Sequence, residues 1–112
     1  MMSITTLSGR PASALCFGAM QFGGTAEKRA SEEMYADCRA AGVNFFDTAY
    51  AYTGGLSETW LGAMAKSKRE DLIIATKAGY TGGAGRANLY AQFDESRKRL
   101  CMETVDLSLI HI

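Results

Sequence analysis

Asp47, Tyr52, Lys77 and His111 are the residues whose types, taken together, could deliver a proton to an oxygen atom. A phenol parts with its proton reluctantly at neutral pH. An ammonium within a few ångströms favours the phenolate, and a carboxylate paired with that ammonium keeps it charged and aimed. A histidine can add a hydrogen bond to the same substrate oxygen. Such a set would protonate an oxyanion as it forms on a carbonyl carbon. The sequence places no nucleophile beside a base and shows no metal-ligand spacing, so reduction of a carbonyl by an external hydride donor fits best. Each residue also has a blander reading. Asp47 could be a turn or helix-cap residue, Tyr52 a packing aromatic beside Tyr50, Lys77 the first solvated residue after a strand, and His111 a satisfied core residue.

Their common placement argues for chemistry. The run Val43-Asn44-Phe45-Phe46 ends at Asp47, with Tyr52 five residues later. Ile73-Ile74-Ala75-Thr76 ends at Lys77, and Val105 to Ile110 ends at His111, the single histidine. Strands are predicted at Ser13–Gly18, Val43–Phe46, Leu72–Ala75 and Val105–Ile110. Gly9-Arg10-Pro11 suits a small hairpin or loose arm ahead of the first. Between the strands, Glu27 to Ala41 reads as a helix with Ala30, Met34, Cys38 and Ala41 on one face, stopped by Gly42. Ser57 with Glu58 is a predicted start of a second helix, which carries Trp60, Leu61, Met64 and Ala65 toward a core. The glycine-rich loop Gly79 to Gly85 leads to a third, with Leu89, Phe93, Ser96 and Leu100 on one side.

A repeated strand-helix order with such connections predicts an α/β fold built on a parallel sheet. The continuous apolar strands predict burial on both faces. A barrel and a doubly wound sheet both satisfy this much. The arrival of ionisable groups at the carboxyl ends of successive strands decides for the barrel.

With 112 residues the chain suffices for one small domain with a core. Twelve basic and twelve acidic residues cancel, giving no push toward nucleic acid or an anionic membrane. No apolar run approaches the ~20 residues that span a bilayer, and the N-terminus lacks the pattern of a secretory signal. Cys16, Cys38 and Cys101 match no metal or redox spacing and read as reduced, half-buried residues of a cytoplasmic protein.

The segment Gly42 to Gly62 closely resembles the aldo-keto reductase signature, in Gly42-Val43-Asn44-Phe45-Phe46-Asp47-Thr48-Ala49-Tyr50-Ala51-Tyr52, then Gly55-Leu56-Ser57-Glu58 and Leu61-Gly62. Ala75-Thr76-Lys77 resembles that family's lysine strand, and Val105-Asp106-Leu107 with Leu109-Ile110-His111 its histidine strand. Ala14 to Met20 resembles its first strand. The resemblance implies a (β/α)8 TIM barrel that reduces aldehydes or ketones with NADPH. It assigns Tyr52 as general acid, Lys77 as the group that promotes its ionisation, Asp47 as the holder of Lys77, and His111 as the orienter of the carbonyl. It puts Ala19, Met20 and Asp47 near the nicotinamide. Gly82-Gly83-Ala84-Gly85 lacks the Lys-Ser/Thr of a phosphate loop and would be a loop at the barrel mouth.

A complete barrel of this kind needs about 250 residues, whereas this sequence ends with its fourth strand. The expectation is an incomplete N-terminal half of about four strand-helix units, residues 1–112 forming a partial domain that is not an active, stable monomer. Two open sheet edges and an uncovered apolar face would follow. The terminal Leu-Ser-Leu-Ile-His-Ile is also what CTG-TCT-CTT-ATA-CAC-ATC encodes, an adapter end used in sequencing libraries. Residues 107–112 are therefore expected to be a non-native tail, although the family pattern calls for Leu, Leu, Ile and His at four of these places. Two other functional classes remain open: an NADPH-binding regulatory subunit of a membrane channel, and a half-barrel that pairs with its own copy.

Overall fold

In the computed structural model, which describes residues 4–110, parallel strands alternate with helices. The order is β1 (Cys16–Gly18), α1 (Lys28–Ala40), β2 (Phe45–Asp47), α2 (Leu56–Ala65), β3 (Ile73–Ala78), α3 (Arg86–Leu100) and β4 (Leu107–Ile110). His111 lies outside the described residues. The strands pair in the order β1-β2-β3-β4, each parallel to the next. A doubly wound sheet reverses its strand order part-way. This one does not, and its strands follow one another in chain order as those of a barrel do.

The two faces of the wall differ. Phe17, Phe46 and Ile74 point outward into a core shared with Tyr35 of α1, Leu61 of α2 and Leu100 of α3. Phe46 is fully buried, its ring 5.0 Å from that of Tyr35 and 6.1 Å from that of Phe17. On the other face Cys16, Gly18, Phe45, Asp47, Ala75, Lys77, Leu107 and Leu109 line an open concavity. The two sets alternate along the strands, as the strand period of two requires. The expected burial on both faces therefore holds for β3, which is buried at every residue but Lys77, and fails for β1 and β2. Their inner residues are exposed or half-buried because no element covers the concave side among the described residues.

Most predicted elements occur with shifted bounds. The arm before β1 does fold back, through an antiparallel bridge between Thr5 and Pro11. The stop after α1 is the expected glycine: Gly42, at φ +88°, donates to the Arg39 carbonyl, and Val43 donates to that of Cys38. This pair of bonds satisfies the terminal carbonyls and turns the chain directly into β2. The inward face of α1 is rotated from the predicted one. Ser31, Met34, Tyr35 and Cys38 face the core, whereas Ala41 is exposed at the cap. An aromatic contact between Tyr35 and Phe46 outweighs the smaller gain from burying alanines.

Gly62 lets α2 and α3 close on each other. A Cβ there would stand 2.5 Å from the Leu100 carbonyl oxygen, and backbone cannot swing aside. Gly62→Ala should cost about 1–3 kcal/mol by overpacking. Urea unfolding of the protein's full natural chain checks this, and an unchanged midpoint would show that the helices can separate without loss.

Candidate active site

Asp47 is the last residue of β2 and sits in register with Gly18 on one side and Ala75 on the other. Lys77 lies two residues beyond Ala75 on the same face of β3, so its side chain reaches back over the strand end. Its ammonium donates to Asp47 Oδ2 at 2.6 Å, to the Thr48 carbonyl at 2.9 Å and to Tyr52 Oη at 3.3 Å. An ammonium has three hydrogens, and each has an acceptor here. The ion pair is partly sheltered, with the Lys77 side chain 13% and that of Asp47 28% exposed. Shelter of this degree keeps the attraction from being screened as a surface pair is.

The segment after β2 is fastened to β3. Thr48 N–H donates to the Ala75 carbonyl and Tyr50 N–H to that of Lys77. The chain then turns through a 3-10 helix, Tyr52–Gly55, in which Thr53 and Gly54 have positive φ. Thr53 Oγ1 donates to the Phe22 carbonyl at 2.7 Å, which pins the turn to the segment after β1. Tyr52 is thereby set beside Lys77, its ring centroid 4.9 Å from the ammonium.

Beneath this set lies a polar layer that the sequence reading missed. Ser57 and Glu58 do not start α2 as capping residues; the helix begins at Leu56 with Gly55 as its cap. Both side chains are fully buried and point into the protein. Ser57 Oγ donates to the Ala19 carbonyl at 2.7 Å and shares a 2.6 Å bond with Thr48 Oγ1, joining the ends of β1 and β2. Glu58 Oε2 accepts from Thr76 Oγ1 at 2.6 Å, and Oε1 accepts from Arg99 of α3 at 3.1 Å. Arg99 also donates to the Tyr50 carbonyl at 2.8 Å. A serine followed by an acidic residue also suits the first turn of a helix, so local sequence pointed elsewhere.

The remaining expected residues fall near the same end of the sheet. Ala19 is fully buried, its N–H donating to the Asp47 carbonyl, while Met20 beside it is 50% exposed. The Gly79–Gly85 loop is held by amides of α3: Gln92 accepts from Gly79 N–H and donates to the Thr81 carbonyl, and Asn88 donates to the carbonyls of Thr81 and Gly83. Desolvation pushes the Cys16 thiol up, the Asp47 carboxylate adds to this and Lys77 opposes it, so Cys16 is held as a thiol. The three cysteines are free, and no cluster fit to hold a metal occurs among the described residues. Three of the four expected chemical residues, Asp47, Tyr52 and Lys77, thus meet at one strand end.

The Aldo/keto reductase family model matches residues 14–112, which include every element just described. The chain belongs to the aldo/keto reductase family. Among curated relatives it is 37% identical to L-galactose dehydrogenase of Arabidopsis thaliana, over 93% of this chain and 35% of that protein. It is 34% identical to norsolorinic acid reductase B of Aspergillus parasiticus, over 88% of this chain and 32% of that protein. A protein of Arabidopsis thaliana described as a probable voltage-gated potassium channel subunit beta is 33% identical over 93% of this chain and 35% of its own length. The aldo/keto reductase of Bacillus halodurans in its holo form superposes with a TM-score of 0.80 at 28% identity, covering 99% of this chain and 40% of that one. The chain thus spans about a third of the length of these curated relatives. Its strands correspond to the N-terminal portion of the (β/α)8 barrel.

Proposed function

We propose that this family member reduces an aldehyde or ketone to an alcohol with NADPH, Tyr52 giving the proton. The observation that carries the reading is the Lys77 ammonium shared between Asp47 Oδ2 and Tyr52 Oη. Tyr52 Oη accepts from the ammonium, which leaves the phenol's O–H in the donor's role toward a substrate oxygen. The positive charge 3.3 Å away stabilises the oxygen as that hydrogen leaves. Asp47 fixes the ammonium and balances its charge, so the site need not reorganise during the step. A carbonyl oxygen placed against Tyr52 would be protonated as it becomes an alkoxide.

The residues present fit a nicotinamide. The Asp47 carboxylate is partly open beside Tyr52, Met20 stands exposed at the neighbouring strand end, and nothing lies within 4 Å of a Cβ built on Gly18. Asp47 and Met20 would hold the ring, with Ala19 supporting the strand end behind them. When bound, the reduced nicotinamide supplies the hydride. Three unpaired cysteines suit a reducing cytoplasm, and no described helix is long and apolar enough to cross a membrane.

The full natural chain should oxidise NADPH only when an aldehyde or ketone is added; no oxidation across a broad carbonyl panel would sink the reading. Lys77→Met should lower kcat about 10²–10³-fold by removing the charge beside the developing phenolate. Steady-state rates at saturating NADPH measure this, and a kcat near that of the parent protein would show that the ammonium has no part in the step.

A second reading has one observation in its favour, the similarity to a probable potassium channel subunit beta. In that reading the protein binds NADPH and attaches to a membrane channel with little turnover. Stoichiometric co-purification with a channel, together with a negligible reductase rate, would select it over the first.

A further inference from the structure

We infer that the Glu58–Arg99 ion pair is a positioning device for Tyr52, an inference that rests on the reductase reading above. Arg99 comes from α3 and bonds to none of Asp47, Tyr52 and Lys77, yet its guanidinium holds both ends of the segment that carries Tyr52. At the near end, Nη1 donates to the Tyr50 carbonyl at 2.8 Å, and the guanidinium lies 4.3 Å from the centroid of the Tyr50 ring. At the far end it packs against Gly55, where a Cβ would stand 2.7 Å from Cζ. Gly55 also has φ +101°, so both conformation and space require glycine there. Tyr52 lies between these two contacts.

Glu58 supplies the other half of the device. It is fully buried and spends one oxygen on Arg99 and the other on Thr76, the residue just before Lys77. One carboxylate therefore ties the strand of Lys77 to the cation that holds the segment of Tyr52. The two groups whose oxygen–nitrogen distance matters for proton transfer are referenced to a single rigid point. A well-packed apolar pair would stabilise α2 against α3 at least as well as a buried ion pair, whose desolvation offsets much of its attraction. Fixed direction is what an apolar pair cannot provide. Both hydrogen bonds come from Nη1, and a lysine at position 99 would lack the planar group that packs on Gly55 and on the Tyr50 ring and sets where that nitrogen sits.

The test compares three variants of the full natural chain with the parent and with Tyr52→Phe. Glu58→Gln with Arg99→Met removes both charges together, leaving no unpaired ion in the core. Its kcat should fall roughly 100-fold, the penalty of misplacing a catalytic group by about 1 Å, while NADPH affinity by fluorescence titration stays near the parent value. Glu58→Gln alone should lose far less, because Arg99 still reaches the Tyr50 carbonyl. Arg99→Lys, which keeps the charge beside Glu58, guards against a double variant that fails to fold. Its kcat should drop with little change in melting temperature or in NADPH affinity. A double variant, or a folded Arg99→Lys, that keeps the parent kcat overturns the inference while the parent's activity and its loss in Tyr52→Phe leave the reductase reading standing. A parent inactive on every carbonyl overturns both.

Discussion

Tyr52→Phe should lower carbonyl reduction by about 10²–10⁴-fold, the range associated with losing a general acid. At about 1.4 kcal/mol for each tenfold, that is about 3–5.5 kcal/mol of transition-state stabilisation. The substitution removes one oxygen and keeps the ring, which lies 4.9 Å from the Lys77 ammonium and should stay there. Lys77 keeps its bonds to Asp47 and to the Thr48 carbonyl, so the ion pair is not released into a partly buried site without acceptors. Cofactor binding should therefore persist. Parallel measurement of kcat and of NADPH affinity separates loss of the proton from loss of the site. Turnover retained in Tyr52→Phe would mean that another group, or water, delivers the proton.

The second large effect belongs to the outer face of the same strand. Phe46→Ala should destabilise the protein by about 3–5 kcal/mol. Phe46 is fully buried between Phe17 of β1 and Tyr35 of α1, so its truncation leaves a cavity in the core between sheet and helices. Asp47 follows it directly, so the packing of Phe46 against the helices sets the depth at which the carboxylate emerges on the other face. Chemical denaturation of the full natural chain checks the value. A loss well under 1 kcal/mol would mean that the helical layer is not anchored through this ring.

The barrel-type α/β order was legible because strand and helix periods alternate clearly and because Asp47 and Lys77 end apolar runs. The contact between them was legible for the same reason, since parallel strands deliver both groups to one edge. Strand lengths were less readable: β1 is three residues and β3 six, decided by pairing with neighbours rather than by composition. The roles of Ser57 and Glu58 were not legible locally, because serine and glutamate are also common in the first turn of a helix. What distinguishes them is Arg99, 41 residues from Glu58, and a tertiary partner leaves no local mark. One signal was present in Gly55, which a close-packed guanidinium requires but which a turn also explains. The rotation of α1 toward Tyr35 had the same cause, an aromatic partner supplied by a different element.

The central claim is that hydride arrives from NADPH at a carbonyl carbon while Tyr52 protonates the oxygen. The most direct measurement supplies the full natural chain with NADPH deuterated at the transferable position of the nicotinamide, together with an aldehyde or ketone, and reads the alcohol by mass spectrometry. The account predicts deuterium on the carbinol carbon in the parent protein and almost no labelled alcohol with Tyr52→Phe. Alcohol formed without label, or no alcohol from a parent that binds NADPH, would contradict it.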